Sequence, residues 1–126
     1  KYINDNYGRD AGDIVLQRIA QTVLSCVRKT DAVIRYGGDE FVIIFFSIPP
    51  DIFEKKLERI RHSVDSLIID DCPELHMSVS LGGSYGSGTT KKLFKAADNM
   101  MYQSKNTKNK VTICFLNEDK GSRYFI

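Results

Sequence analysis

Apolar residues recur at three- and four-residue spacing over residues 11–28. There Val15, Leu16, Ile19, Ala20, Val23, Leu24 and Val27 would share one broad helical face. Asp10 suits the N-terminal cap of this helix, and Asp13 adds negative charge where the helix dipole is positive. Residues 31–36 then read as a short strand, interrupted by Gly37-Gly38-Asp39-Glu40. Phe41-Val42-Ile43-Ile44-Phe45-Phe46 follows, six apolar residues in a row, as expected of a strand buried on both faces. Two strands around so short a connection predict a hairpin. Pro49-Pro50 ends it, and Asp51-Ile52-Phe53-Glu54 has the spacing of a capping box. Phe53, Leu57, Ile60, Val64 and Leu67 mark the buried stripe of a second helix. From Glu74 the period becomes two, with Leu75, Met77, Val79 and Leu81 on one face of a strand. The Gly- and Ser-rich residues 82–88 read as a loop. Thr89 or Thr90 caps a third helix with Leu93, Ala96, Ala97, Met100 and Met101 inward, and residues 110–115 form a last strand.

The order is helix, hairpin, helix, strand, helix, strand, which calls for a layered α/β arrangement. The 126 residues, 42% hydrophobic and 27% charged, suffice for one globular domain and not for two. Eighteen Lys plus Arg against sixteen Asp plus Glu leave a net charge of +2, which argues against a nucleic-acid polymer as partner. No apolar run approaches the ~20 residues that span a bilayer, so any membrane attachment is expected only through segments outside this chain. Cys26, Cys72 and Cys114 match no metal-ligand spacing and read as reduced thiols of a cytoplasmic domain. The chain opens at Lys1-Tyr2-Ile3-Asn4-Asp5 without an initiator Met. It therefore reads as a piece of something longer, with a first strand expected upstream.

The informative segment is Arg35-Tyr36-Gly37-Gly38-Asp39-Glu40-Phe41. Two glycines leave room for a ligand to approach the backbone, and two adjacent carboxylates at the lip of a strand offer hard oxygen ligands. That combination suits a divalent metal with a phosphorylated group nearby. A tight hairpin turn whose Asp and Glu are simply solvated is the competing reading. Arg28-Lys29-Thr30-Asp31 is equally open by itself, since R-x-x-D at a helix end is a common surface ion pair.

Gly37-Gly38-Asp39-Glu40-Phe41 resembles the signature of the GGDEF domain family, the diguanylate cyclases, and the resemblance extends over residues 1–115. Lys1, Asn4-Asp5, Gly8 and Gly12-Asp13 resemble the family's opening segment. Arg28 and Asp31, with Arg28 nine residues before Gly37, resemble its inhibitory site. Ser78-Val79-Ser80-Leu81-Gly82 is similar to its fourth strand, and Ala97-Asp98-Asn99-Met100-Met101-Tyr102-Gln103-Ser104-Lys105 to its last helix. The resemblance implies a nucleotidyl-cyclase-like, ferredoxin-like α/β core: a central, mostly antiparallel sheet flanked by helices. It also implies condensation of two GTP into cyclic di-GMP and two pyrophosphates by two facing domains, with Mg²⁺ or Mn²⁺ as cofactor. Catalysis would then need a homodimer, and an upstream sensor or receiver domain would control it. Asp39 and Glu40 would be catalytic metal ligands, with Glu40 alternatively a partner of the 3′-hydroxyl. Gly37 and Gly38 would lie against the nucleotide, Asn4 and Asp13 would bind guanine, and Lys1 and Lys105 would contact phosphates. Arg28 and Asp31 would bind cyclic di-GMP and confer product feedback. Residues 116–126 would be a tail or the start of a linker.

Three departures from the family pattern stand out. Its metal-binding Asp on the opening strand falls upstream of Lys1. Arg9 stands where His is usual. Lys108-Asn109-Lys110 replaces Gly-Arg-Asn, so neutral Asn109 takes the place of a phosphate-binding Arg unless Lys108 or Lys110 substitutes. The six lysines between Lys91 and Lys110, against one acid, Asp98, read as a solvated face apart from Lys105. His62 and His76 have no metal partner at suitable spacing. The alternative function is a catalytically weak or inactive domain that binds GTP or cyclic di-GMP as a regulatory module.

Overall fold

The computed structural model describes residues 9–37, 40–69, 77–87, 89–116 and 124–125. Among the described residues eight elements follow one another: α1 (Arg9–Ser25), β1 (Ala32–Arg35), β2 (Phe41–Ile44), α2 (Pro50–Asp65), β3 (Leu81–Gly86), α3 (Thr90–Thr107), β4 (Val111–Leu116) and β5 (Tyr124–Phe125). The expected α/β class holds. Among the described strands β1–β2 and β4–β5 pair antiparallel, while β3–β4 is parallel. The chain divides into two compact units, one carrying α1, β1 and β2, the other carrying α2, β3 and the described elements after it. Among the described residues no helix is long and apolar enough to cross a membrane.

In the first unit, α1 buries Val15 and Val23 of its predicted stripe, together with Cys26 just past its end, while Leu24 is 56% exposed against expectation. Leu24 sits at the edge of the stripe, where the helix turns from its packed side to water. Asp10 lies inside α1, not at its cap, because the helix already begins at Arg9. The hairpin forms as predicted, with Ala32 opposite Ile44 and Arg35 opposite Phe41. Its second strand is half-buried along its whole length, not buried on both faces, since among the described residues β2 pairs with β1 alone.

In the second unit, Phe53, Leu57, Ile60 and Val64 form the buried stripe of α2, as the spacing predicts, whereas Leu67 lies past the end of the helix and is only half-buried. Each fully buried side chain of this kind contributes about 1.5–3 kcal/mol. The expected capping box is absent. Pro49 is the N-cap, no side chain caps the helix, and Asp51 falls in the first turn. Pro50, with its φ already fixed near the helical value, starts the helix one residue before Asp51. Thr89 does cap α3, its Oγ1 accepting from the Lys92 N–H at 3.1 Å.

The largest departure concerns residues 74–88. Met77 to Ser80 join no described strand, Glu74 to His76 lie outside the described residues, and the strand is Leu81–Gly86, of which all but Leu81 falls in the segment expected to be a loop. Its glycines serve close packing instead of chain reversal. A Cβ on Gly82 would collide with the backbone of α3 at Met101 and Ala97. On Gly83 it would come within 2.8 Å of Leu57 Cδ1 and 3.0 Å of Phe53 Cζ on α2. Neighbouring strand residues point to opposite faces, so β3 lies between the two helices.

The same alternation orders the rest of the sheet. On the α3 side, Ser84 Oγ donates to the Leu93 carbonyl. Ser104 Oγ, fully buried, donates to the Leu81 carbonyl at 2.8 Å and shares a 2.6 Å hydrogen bond with Thr112 Oγ1. On the α2 side, Tyr85 packs between Phe53 and Phe115, with ring centroids 5.5 and 5.9 Å away. Helix α3 ends at Lys108, which has a positive φ of 58° and whose N–H donates to the Ser104 carbonyl. Cys26 and Cys114 are buried thiols, and Cys72 lies outside the described residues.

Candidate functional site

The hairpin turn is built from main-chain bonds. The Glu40 carbonyl accepts from the N–H of Tyr36 at 2.9 Å and of Gly37 at 3.4 Å. Arg35 Nε donates to the Gly37 carbonyl at 3.3 Å, tying the side chain at the end of β1 to the start of the turn. Gly38 and Asp39 lie outside the described residues. Glu40 is half-buried next to β2, so of the expected metal pair it is the member whose surroundings are described. Its main chain is fixed by the turn, and its carboxylate is a hard oxygen donor of the kind that fits Mg²⁺ or Mn²⁺. Among the described residues no group of three or more His, Cys, Asp or Glu converges to hold a metal.

Asp13 is exposed on α1 and borders a cleft of about 320 Å³ lined also by Leu16, Gln17, Ala20, Arg35 and Phe41. Three half-buried apolar residues and a carboxylate suit a flat heterocycle that carries N–H donors. Lys1 and Asn4 lie outside the described residues. Lys105 is exposed in the last turn of α3, where a cation also complements the helix dipole. Arg9 begins α1. His62 is exposed on α2, and His76 is outside the described residues.

Arg28 and Asp31 pair with each other. Arg28 Nε and Nη2 donate to Asp31 Oδ2 and Oδ1 at 3.1 and 2.8 Å, and the Arg28 N–H donates to Oδ2 at 2.9 Å. Both residues also reach the far end of the hairpin. Arg28 Nη2 donates to the Phe46 carbonyl, and the Phe46 N–H donates to Asp31 Oδ1 at 3.4 Å. The Asp31 side chain is 0% exposed and that of Arg28 42%. The Arg28 side-chain hydrogen bonds outweigh the cost of desolvation and hold the Asp31 carboxyl at about 2, with the two backbone N–H groups adding to the effect. The same contact raises the Arg28 guanidinium above its ordinary value.

The structure adds Gln17, Arg61 and Asp65, which the sequence pattern did not single out, and gives Phe41 and Asn109 neighbours that it did not foresee. Gln17 and Phe41 join Asp13 at the cleft. Gln17 was legible in principle, being one helical turn beyond Asp13. Asn109 Nδ2 donates to Asp65 Oδ1 at 3.0 Å, and Arg61 Nη1 donates to Asn109 Oδ1 at 3.3 Å. Asn109 therefore clips the turn after α3 onto the end of α2. Its φ of 46° is one that Asn tolerates better than most residues. No local signal in the sequence links residues 61, 65 and 109.

The family profile described as diguanylate cyclase, GGDEF domain, matches residues 1–111. The chain is 40% identical over 106 residues to diguanylate cyclase DgcM of Escherichia coli K12, covering 84% of this chain and 26% of that protein. It is 37% identical over 118 residues to diguanylate cyclase A of Treponema denticola, covering 90% and 32%. It thus spans only about a quarter to a third of the length of these curated relatives. The crystal structure of diguanylate cyclase SiaD in complex with its activator SiaC from Pseudomonas aeruginosa superposes with a TM-score of 0.80 at 29% identity, covering 89% of this chain and 45% of that one. The GGDEF domain of DgcB from Caulobacter crescentus, in complex with c-di-GMP, gives 0.76 at 28% identity, covering 88% and 69%.

Proposed function

This chain belongs to the GGDEF domain family of diguanylate cyclases, and we propose that within its full-length protein it condenses two GTP molecules into cyclic di-GMP and two pyrophosphates. The observation that carries this reading is the cleft itself. Asp13 stands at its rim over apolar walls, and Arg35 runs from its lining into the Gly37 turn that leads to Glu40. Asp13, with Asn4, holds guanine through its N–H groups, Gly37 and Gly38 leave room for the nucleotide, and Lys1 and Lys105 contact phosphates. Asp39 and Glu40 hold Mg²⁺ or Mn²⁺, which when bound neutralises charge on the transferring phosphoryl group. The 3′-oxygen of one GTP bonds to the α-phosphorus of the other while the bond to pyrophosphate breaks and the hydroxyl proton is released. The step then repeats in the opposite sense. Two domains must face each other, so the active species is a homodimer, in which alignment of the two nucleotides supplies much of the rate.

Cyclic di-GMP binds at Arg28 and Asp31, where the bidentate guanidinium suits phosphate and the carboxylate suits guanine. To clamp product, Arg28 exchanges its bonds to Asp31 and Phe46 for bonds to the ligand. The domain spans residues 1–115 and works in the cytoplasm under an upstream sensor or receiver domain.

A regulatory module that binds GTP or cyclic di-GMP without turnover is the second reading. Asn109 favours it, being neutral and engaged with Arg61 and Asp65 where the family carries a phosphate-binding Arg. Incubating the full-length, dimer-competent protein with GTP and Mg²⁺ and following cyclic di-GMP separates the two. Steady product that vanishes in Asp39→Ala and Glu40→Ala supports the cyclase. GTP binding without product supports the module.

A further inference from the structure

Gln17 follows Asp13 by one turn of α1 and lines the same cleft. Side chains four residues apart on a helix have Cβ atoms about 5–6 Å apart. Asp13 and Gln17 therefore border the cleft side by side, close enough for both side chains to reach one flat base. Leu16, Ala20 and Phe41 offer apolar contact to the ring faces. Guanine sets its N1–H and 2-amino donors beside one acceptor, O6. A carboxylate can only accept, whereas a glutamine amide carries two donor hydrogens. Arg35, the cationic member of the lining, has its Nε on the Gly37 carbonyl and belongs to the turn. Among the described residues nothing engages the Gln17 amide.

From this arrangement we infer that Gln17 donates from Nε2 to O6 of guanine, completing with Asp13 an acceptor–donor frame that specifies the base. The inference rests on the proposed role of the cleft in binding GTP. It makes Gln17 a specificity-determining residue that touches the base and takes no part in phosphoryl transfer.

Calorimetric titration of the full-length protein with three nucleotides tests it. GTP and inosine triphosphate both carry O6, and 2-aminopurine riboside triphosphate does not. Gln17→Leu should weaken GTP and inosine triphosphate by about 3- to 10-fold, the scale of one lost neutral hydrogen bond, and leave the third ligand unchanged. Gln17→Lys keeps a donor and should keep the preference for O6. The exposed position of Gln17 lets both variants fold, which thermal unfolding checks directly. Equal losses on all three ligands, or none, overturn the inference. A wild-type protein that does not bind GTP overturns the parent reading and this one with it. If GTP binds and Asp13→Ala lowers guanine preference while Gln17→Leu does not, only the role of Gln17 falls.

Discussion

Asp31 receives the Arg28 side chain on both carboxylate oxygens, at 2.8 and 3.1 Å, and the two residues jointly grip the main chain of Phe46. One ion pair thereby closes the turn after α1 and fastens it to the exit of β2. These are the two residues proposed to bind product, so ligand binding and hairpin anchoring compete for the same atoms.

That anchoring has a pH signature. The folded Asp31 carboxyl sits at about 2, below its ordinary 3.8. Its contribution to stability is therefore fully present above pH 3.8 and is lost as pH falls from there through about 2. Thermal melts of wild type and Asp31→Asn should run parallel above pH 5, with the variant less stable. They should converge between roughly pH 4 and 2. Curves that stay parallel through that window would rule the contribution out.

Product feedback should follow the same pair. With the full-length protein turning over GTP, added cyclic di-GMP should slow the wild type. Arg28→Ala should remove most of that inhibition while leaving the uninhibited rate within about two-fold, since neither Arg28 nor Asp31 lines the cleft proposed to hold GTP. Unchanged inhibition in the variant would remove Arg28 from the product site.

Adjacent glycines in β3 should respond unequally to the same substitution. Gly82→Ala drives a methyl group into the α3 backbone, which cannot yield without moving the helix, and should cost about 3 kcal/mol or more. Gly83→Ala meets the ends of the Leu57 and Phe53 side chains, which can shift, and should cost about 1 kcal/mol. Urea denaturation of both variants reads the difference, and equal losses would contradict the packing described.

Ser104 has no exposure, and its hydroxyl serves both the Leu81 carbonyl and Thr112. Ser104→Ala leaves buried polar groups without this partner and should destabilise by about 1–3 kcal/mol. The double variant Ser104→Ala with Thr112→Val should lose less than the sum of the single changes, which chemical denaturation of all three can show.

Lys108 adopts φ 58° and ψ 155°, a region that glycine enters freely and other residues enter at a cost of about 1–3 kcal/mol. Lys108→Gly should raise stability by about 1 kcal/mol after the entropy of the added glycine is subtracted. An unchanged or lower Tm would refute it.

Much of this was readable in the chain. The hairpin around Gly37, the stripe of α2 and the Thr89 cap all follow from local patterns, because each depends on neighbours within a few residues. The Gly82–Gly83 pair did not. Glycine signals a turn and a close approach in the same way, and only the helices packed on β3 distinguish the two. Ser104 was invisible because a polar residue on an apolar stripe looks like an interruption until its two partners arrive from β3 and β4. Asp51 looked like a cap because its box is local, while Pro49 and Pro50 had already fixed the start of α2. For the site, Glu40 came from the acidic turn itself and Asp13 from the family resemblance, whereas Gln17 required the cleft.

Strand β4 is hydrogen-bonded on both sides, by β3 in parallel and by Tyr124 and Phe125 in antiparallel register against Phe115 and Cys114. Losing Tyr124 and Phe125 would therefore bare the main-chain groups of Cys114 and Phe115 on an apolar strand, an edge onto which a neighbouring molecule can add. For anyone preparing this protein, a stretch that looks dispensable is a guard against self-association.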